Sequence, residues 1–194
     1  MNVTSTPALG YTSGYDRLAR LPGVFSLATA SRMLDMPRQQ TLAYLARWRA
    51  RKWVEPAGPR AGIYFNRIAN TQAADVHRTD ALLMLYPSAV LIGESVLHAA
   101  GWTTQIPSTL QVAVEKTSTR RSYKQLDGFT LHPRPLSWFV RAHAQMRSPQ
   151  KAGFNSCGLL TLNPKFALAD LYATPGAWHP DADDLDIPVS GQIK

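Results

Sequence analysis

The stretch SLATASRMLDMPRQQTLAYLARWRARK, from Ser26 to Lys52, decides how the first part of this chain folds. Ser26 is suited to cap a short helix over Leu27 to about Leu34, in which Leu27, Ala30 and Leu34 share one face. Asp35-Met36-Pro37 breaks that pattern. Proline lacks a backbone donor and disfavours the helical conformation in the residue before it, yet it fits the first turn of a new helix. A tight turn therefore leads into a second helix, roughly Pro37 to Lys52, with Thr41, Leu45 and Trp48 at the i, i+4, i+7 spacing of a buried stripe and Leu42 widening it. The other face carries Arg38, Gln39, Gln40, Ala43, Tyr44, Arg47 and Arg51, with no acid among them.

Beyond it, Trp53-Val54-Glu55 and Ile63-Tyr64-Phe65 read as two short strands around the turn-rich Pro56-Ala57-Gly58-Pro59-Arg60-Ala61-Gly62. Helix, turn, helix and hairpin in that order describe a winged helix-turn-helix, whose second helix enters the major groove of DNA. Arginine bonds guanine bidentately and glutamine bonds adenine, so Arg38, Gln39 and Gln40 are the expected base readers. Tyr44, Arg47, Arg51 and Arg60 are the expected phosphate contacts, which fix register and supply salt-dependent affinity. Trp48 and Trp53 are read as core filling, and Arg49 and Lys52 as an exposed helix side. A winged helix also serves as a protein-docking or general nucleic-acid-binding module without sequence-specific repression, and that is the rival reading.

Charge follows the same division. The 194 residues contain 21 Lys+Arg and 13 Asp+Glu, a net charge of +8 and a pI near 9.9, which suggests a polyanionic partner if the excess is clustered. Residues 1–70 hold ten of the basic residues against three acids, a net +7, while residues 71–194 are nearly balanced at +1. Within the second part, residues 116–165 carry nine basic residues and only Asp127 as an acid. Arg120, Arg121, Lys124 and Arg134 mark this as a candidate second basic patch, against the plain alternative of a solvated sheet edge.

The second part reads as α+β. A polar linker over Asn66 to Gln72 precedes an expected helix from about Asp75 to Tyr86, with Ala81, Leu82 and Leu85 as its stripe, and a further helix from about Ser88 to Ala100 ending at Gly101. Strands are expected at Leu110–Val114, Phe129–His132 and Leu159–Leu162, and a helix starts at Asn163-Pro164 and runs through Tyr172. Gly176 to Lys194 is acidic and is expected to be a loosely held tail. The expected architecture is thus a winged helix-turn-helix over residues 1–70 and a mixed α/β domain with a small sheet over residues 71–194.

Three stretches carry a resemblance to a known family. They are the strand ending Gly62-Ile63-Tyr64-Phe65, the run Ile92-Gly93-Glu94-Ser95-Val96-Leu97-His98-Ala99-Ala100-Gly101 leading through Thr103-Thr104-Gln105-Ile106-Pro107 to a strand, and Leu162-Asn163-Pro164 before Ala167-Leu168-Ala169-Asp170-Leu171. In this order, from about Leu21 to Tyr172, the chain resembles the AbiEi-like antitoxins of type IV toxin–antitoxin systems. The resemblance implies an autorepressor that binds its own promoter at an inverted repeat, with a second domain that neutralises a nucleotidyltransferase-like toxin, directly or indirectly.

Enzyme chemistry finds no constellation. Glu94 and His98 lie four apart, a spacing more often a surface hydrogen bond than a general-base dyad, and Cys157 lacks neighbours that would activate a thiol. No phosphate-binding glycine loop occurs, and His77, His98, His132, His143 and His179 lack metal-ligand spacing, so neither a cofactor nor a metal is expected. His132, in Leu131-His132-Pro133-Arg134, reads as an ordinary strand-end residue. No apolar run approaches a membrane span, the opening residues do not resemble a secretory signal, and the lone cysteine forms no internal disulfide, which together point to the cytoplasm.

Overall fold

The structure, a computed structural model, describes residues 13–117, 122–147, 158–175 and 177–187. The chain is α+β and divides into two compact units. The first takes the described residues up to Pro56 together with Gly62–His77, and the second takes Ala57–Ala61 and the described residues from Arg78 onward. The division falls after His77 rather than at residue 70, and the tip of the first hairpin belongs to the second unit.

In the first unit, α1 (Gly14–Ala19) leads to β1 (Val24–Ser26), α2 (Leu27–Met33), α3 (Arg38–Ala50), β2 (Val54–Pro56) and β3 (Ile63–Asn66). Ser26 caps α2 by accepting from the Thr29 N–H at 3.0 Å, as a serine placed before an apolar-periodic run should. The turn into α3 puts Asp35 in the left-handed region at φ 48°, followed by Pro37 directly ahead of the helix. Thr41, Leu45 and Trp48 are the buried side of α3, whereas Leu42 is 46% exposed and does not widen the stripe. The strands form an antiparallel sheet in the order β1-β3-β2.

Two of these elements, α1 and β1, are absent from the sequence reading. A six-residue helix is too short to show apolar periodicity, although Ser13 and Asp16 form a reciprocal capping box that marks its start. The first-unit core gathers Leu18, Leu21, Phe25, Ala30, Leu45, Trp48 and Val54. Asn66, fully buried, ties these layers together: its Nδ2 donates to the Leu18 and Leu21 carbonyls at 3.0 Å each, and its Oδ1 accepts from the Ile68 N–H at 3.2 Å.

The second unit, preceded by the short α4 (Ala73–Val76) of the first, contains α5 (Arg78–Leu85), β4 (Val90–Leu91), α6 (Gly93–Ala99), β5 (Leu110–Glu115), β6 (Phe129–Arg134), α7 (Leu136–His143), β7 (Met146–Arg147), β8 (Leu160–Leu162) and α8 (Pro164–Tyr172). Its five strands form a mixed sheet in the order β6-β5-β4-β8-β7, with β4 parallel to β8, β5 parallel to β6, and the other two pairings antiparallel.

Several expected elements are redrawn here. The single helix from about Asp75 to Tyr86 is two, α4 and α5, and the helix from about Ser88 begins only at Gly93. Ala89, Val90, Leu91 and Ile92 are all buried, with Val90 and Leu91 forming the central strand; a continuous apolar run of this length suits a strand buried on both faces as well as a helix. Gly93, at φ +61°, makes the sharp strand-to-helix turn that a residue with a Cβ rarely adopts.

The acidic segment near the end is not loosely held over its described part. Ala177, Trp178 and Leu185 pack on the buried Leu97, Trp102 and Leu171, and the Asp186 N–H donates to the Trp102 carbonyl at 2.9 Å. The apolar residues set among the acids supply the anchors. Gly176 and residues 188–194 lie outside the described residues. Among the described residues, no helix is long and apolar enough to cross a membrane.

Candidate nucleic-acid interface

Helix α3 turns one side to the first-unit core and leaves the rest in solvent. At about 100° per residue, the line opposite Thr41, Leu45 and Trp48 runs through Gln39, Ala43, Ala46 and Ala50. Gln40, Arg47 and Arg51 border it on one side and Arg38, Leu42 and Arg49 on the other, and all ten of these residues are exposed. Small side chains along the middle let the backbone approach a flat or grooved partner closely, while arginines on both borders can reach the two walls of a groove. Of the three expected base readers, Gln39 is central, and Gln40 and Arg38 lie on opposite borders.

Several groups of the expected phosphate set are pre-arranged. The half-buried Tyr44 ring supports two guanidinium groups, Arg47 at 4.4 Å and Arg17 at 5.4 Å from its centroid. The Arg47 Nε also donates to the Ala43 carbonyl at 3.2 Å, and Arg51 sits 4.9 Å over Trp53. Stacking restricts the Arg47 and Arg51 side chains without consuming the guanidinium donors that an anion would take. Tyr44 is thus a stacking platform for both Arg17 and Arg47. Arg17 carries no site signal in the sequence, because the six-residue α1 that holds it is too short to show periodicity; its Nη1 also contacts the Met36 sulfur at 3.4 Å. No side-chain hydrogen bond caps the amino end of α3, and its first turn holds no acid to offset the positive end of the helix dipole.

The hairpin tip combines an exposed and a fixed part. Pro59 and Arg60 are exposed, with Arg60 in the left-handed region at φ 56°. Ala57 and Ala61 beside them are buried, the Asp127 N–H donates to the Ala57 carbonyl at 3.0 Å, and Lys124 Nζ donates to the Ala61 carbonyl at 3.1 Å. A Cβ on Gly58 would run into the Gln125 carbonyl oxygen and lie 2.9 Å from the Leu126 Cα, so this approach requires glycine.

Of the candidate second basic patch, the structure describes Lys124 and Arg134. Lys124 is engaged by Ala61. Arg134, mostly buried, donates through Nη2 to Asp170 Oδ2 at 3.0 Å and to Thr174 Oγ1 at 2.8 Å, and Trp138 Nε1 donates to Asp170 Oδ1 at 2.7 Å. These bonds join β6, α7 and α8 and make Arg134 a structural cation. Arg120 and Arg121 lie outside the described residues, as does Cys157. Glu94 Oε2 accepts from Gln111 Nε2 at 3.3 Å, while His98 Nδ1 is buried without a hydrogen-bond partner. Among the described residues, no three His, Cys, Asp or Glu side chains are grouped to hold a metal.

His132, on the same strand as Arg134, has its pKa held below the ordinary histidine value, first by burial and then by the Arg134 charge, with Asp170 opposing. Because the unfolded chain binds this proton more readily, the stabilisation is complete above about pH 6.5 and declines as pH falls through that value toward the lower folded-state value. Urea denaturation of the second unit is therefore expected to show a midpoint that drops between about pH 7.5 and pH 5.5, with His132→Gln flattening the drop. An unaltered pH dependence in that variant would contradict this assignment.

No protein-family model matches the chain, and no curated protein is similar to it. Among solved structures it is similar to the crystal structure of the RV2827C protein from Mycobacterium tuberculosis, at a TM-score of 0.59 and 14% identity over 86% of this chain. The match spans 61% of that chain's length and supports the α+β fold alone.

Proposed function

We propose that the chain is a sequence-specific DNA-binding repressor whose first unit is a winged helix-turn-helix, and that it acts as the antidote of a nucleotidyltransferase-like toxin. The observation that carries the DNA reading is the exposed face of α3, a line of small residues headed by Gln39 between two arginine-bearing borders, with no carboxylate from Met36 to Val54. In the major groove, the first turn of α3 meets base edges and the arginines meet phosphates. The strand-helix-helix-hairpin order of the first unit and the uncapped amino end of α3 support the same docking. The antidote role rests on the resemblance to AbiEi-like antitoxins and carries a cytoplasmic location with it, with the chain's own promoter as the DNA and the toxin neutralised directly or indirectly.

The two kinds of contact separate by mutation. Gln39→Ala and Arg38→Ala are each expected to cost about 1 to 3 kcal/mol on the preferred site and to relax preference at one base position, whereas Arg60→Ala weakens all sequences alike and lowers the salt dependence. Gel shifts on a panel of single-base variants of the DNA upstream of the gene read both effects. If Gln39→Ala and Arg60→Ala lower every site by the same factor, base reading by α3 is wrong. A neighbouring reading frame for a nucleotidyltransferase supports the antidote role, and its absence counts against it.

A further inference from the structure

The hairpin tip carries an arginine where the backbone favours glycine. Pro59 and Arg60 are the two central residues of a turn closed by the Ala61 N–H, which donates to the Gly58 carbonyl at 3.3 Å. Arg60, the second of them, sits at φ 56°, in the left-handed region that a turn with proline ahead of it favours filling with glycine or asparagine. An L side chain there strains the backbone, and such a conformation persists only where the surrounding structure over-determines it. Pro59 and Arg60 are both exposed, so the restraint comes from the residues beside them.

Those neighbours are held tightly. Ala57, Gly58 and Ala61 are buried. The Ala57 carbonyl accepts from the Asp127 N–H at 3.0 Å, and the Ala61 carbonyl accepts from Lys124 Nζ at 3.1 Å. Between them Gly58 lies against the Gln125 carbonyl oxygen and the Leu126 Cα with no room for a Cβ. The segment Lys124–Asp127 is anchored in turn: the buried Tyr86 hydroxyl donates to the Lys124 carbonyl at 3.0 Å, and Leu126 is 3% exposed. The tip belongs to the second unit, whereas β2 and β3, which it joins, belong to the first.

We propose that the segment Lys124–Asp127 is a pedestal that presents Arg60 to a DNA phosphate, with Lys124 as a positioning residue that acts through the Ala61 carbonyl and makes no phosphate contact of its own. The proposal rests on the reading of the chain as a DNA-binding protein and gives the second unit a part in that binding. A guanidinium on a backbone already fixed in place loses less freedom on meeting DNA than one on a free loop, which is the advantage that offsets the strain at Arg60.

Fluorescence anisotropy of the full chain with the DNA upstream of its gene and with a shuffled duplex, across a salt series, tests this. The chains compared are the wild type, Arg60→Ala, Gly58→Ala, Lys124→Met and the latter two each combined with Arg60→Ala, with urea denaturation run on all. Gly58→Ala removes no charge but displaces the tip. It is expected to weaken binding to both duplexes at least about fivefold near physiological salt and to lower the slope of log affinity against log salt by about one, as Arg60→Ala does. Lys124→Met is expected to weaken binding at least about threefold alone and less than about twofold in the Arg60→Ala chain, because both act through one contact. A Gly58→Ala chain with wild-type affinity and slope overturns the pedestal. If that variant does not fold, Lys124→Met decides: losses that multiply with those of Arg60→Ala, each with its own drop in slope, make Lys124 a phosphate contact and overturn the assignment. Failure of the wild type to bind either duplex removes the DNA reading and the pedestal together. Equal wild-type affinity for the two duplexes, with the same losses in the variants, overturns base reading and still supports the pedestal, since a phosphate contact is the same on either.

Discussion

Trp48→Ala is expected to cost the first unit about 3 to 5 kcal/mol, the range for truncating a large buried aromatic. The side chain is 1% exposed, its indole Nε1 donates to the Gly14 carbonyl at 2.9 Å, and its ring lies 5.5 Å from that of Tyr44. The substitution therefore opens a cavity beneath α3, orphans the Gly14 carbonyl and loosens the platform on which Arg17 and Arg47 stack. Domains are stable by only about 5 to 15 kcal/mol, so much of that margin disappears and DNA binding falls with it. Trp48→Phe keeps most of the packing and loses the hydrogen bond, so a smaller loss is expected. Urea denaturation followed by circular dichroism measures both, and a loss below about 1 kcal/mol for Trp48→Ala would contradict the packing described for α3.

In the second unit the largest effect is expected at Asp170. Its two oxygens hold Arg134 and Trp138, and the side chains of the ion pair are 13% and 17% exposed. Asp170→Ala leaves a mostly buried guanidinium without its counter-charge, a change that costs about 3 to 5 kcal/mol when a buried pair is broken. Replacing Arg134 and Asp170 together, with Met and Leu, removes the charge along with its partner and is expected to recover much of the loss. Thermal unfolding of the single and double variants reads the difference. Equal destabilisation in both would show that packing, and not the unpaired charge, dominates at this position.

Features set by neighbours in sequence were legible before the structure. Ser26, Pro37 and the spacing of Thr41, Leu45 and Trp48 specify α2 and α3 locally, and Asn163-Pro164 marks the start of α8, where Asn163 accepts from the Lys165 N–H. The arginines and glutamines of α3 could be placed on its exposed side for the same reason. What escaped depends on distant partners. Strand β1 is three residues long and becomes a strand only by pairing Val24 with Phe65 and Ser26 with Ile63. The run Ala89–Ile92 has no periodicity to distinguish strand from helix, and only its central place in the sheet decides.

Helix α7 escaped for a different reason. Its apolar residues fall on both sides, and Trp138, Phe139 and Val140 favour strands. The roles of Arg134 and Arg17 likewise come from Asp170 and Tyr44, respectively 36 and 27 positions away, and charge counting along the chain assigns both arginines to basic blocks without distinguishing the buried one.

The most direct test of the central reading, that α3 reads DNA sequence, is fluorescence anisotropy of the full chain with the DNA upstream of its gene and with a shuffled duplex of equal length and composition, across a salt series. The expected result is binding to the upstream DNA at least about a thousandfold tighter near physiological salt, with affinity for both duplexes falling as salt rises. Equal affinity for the two duplexes at that salt would contradict it.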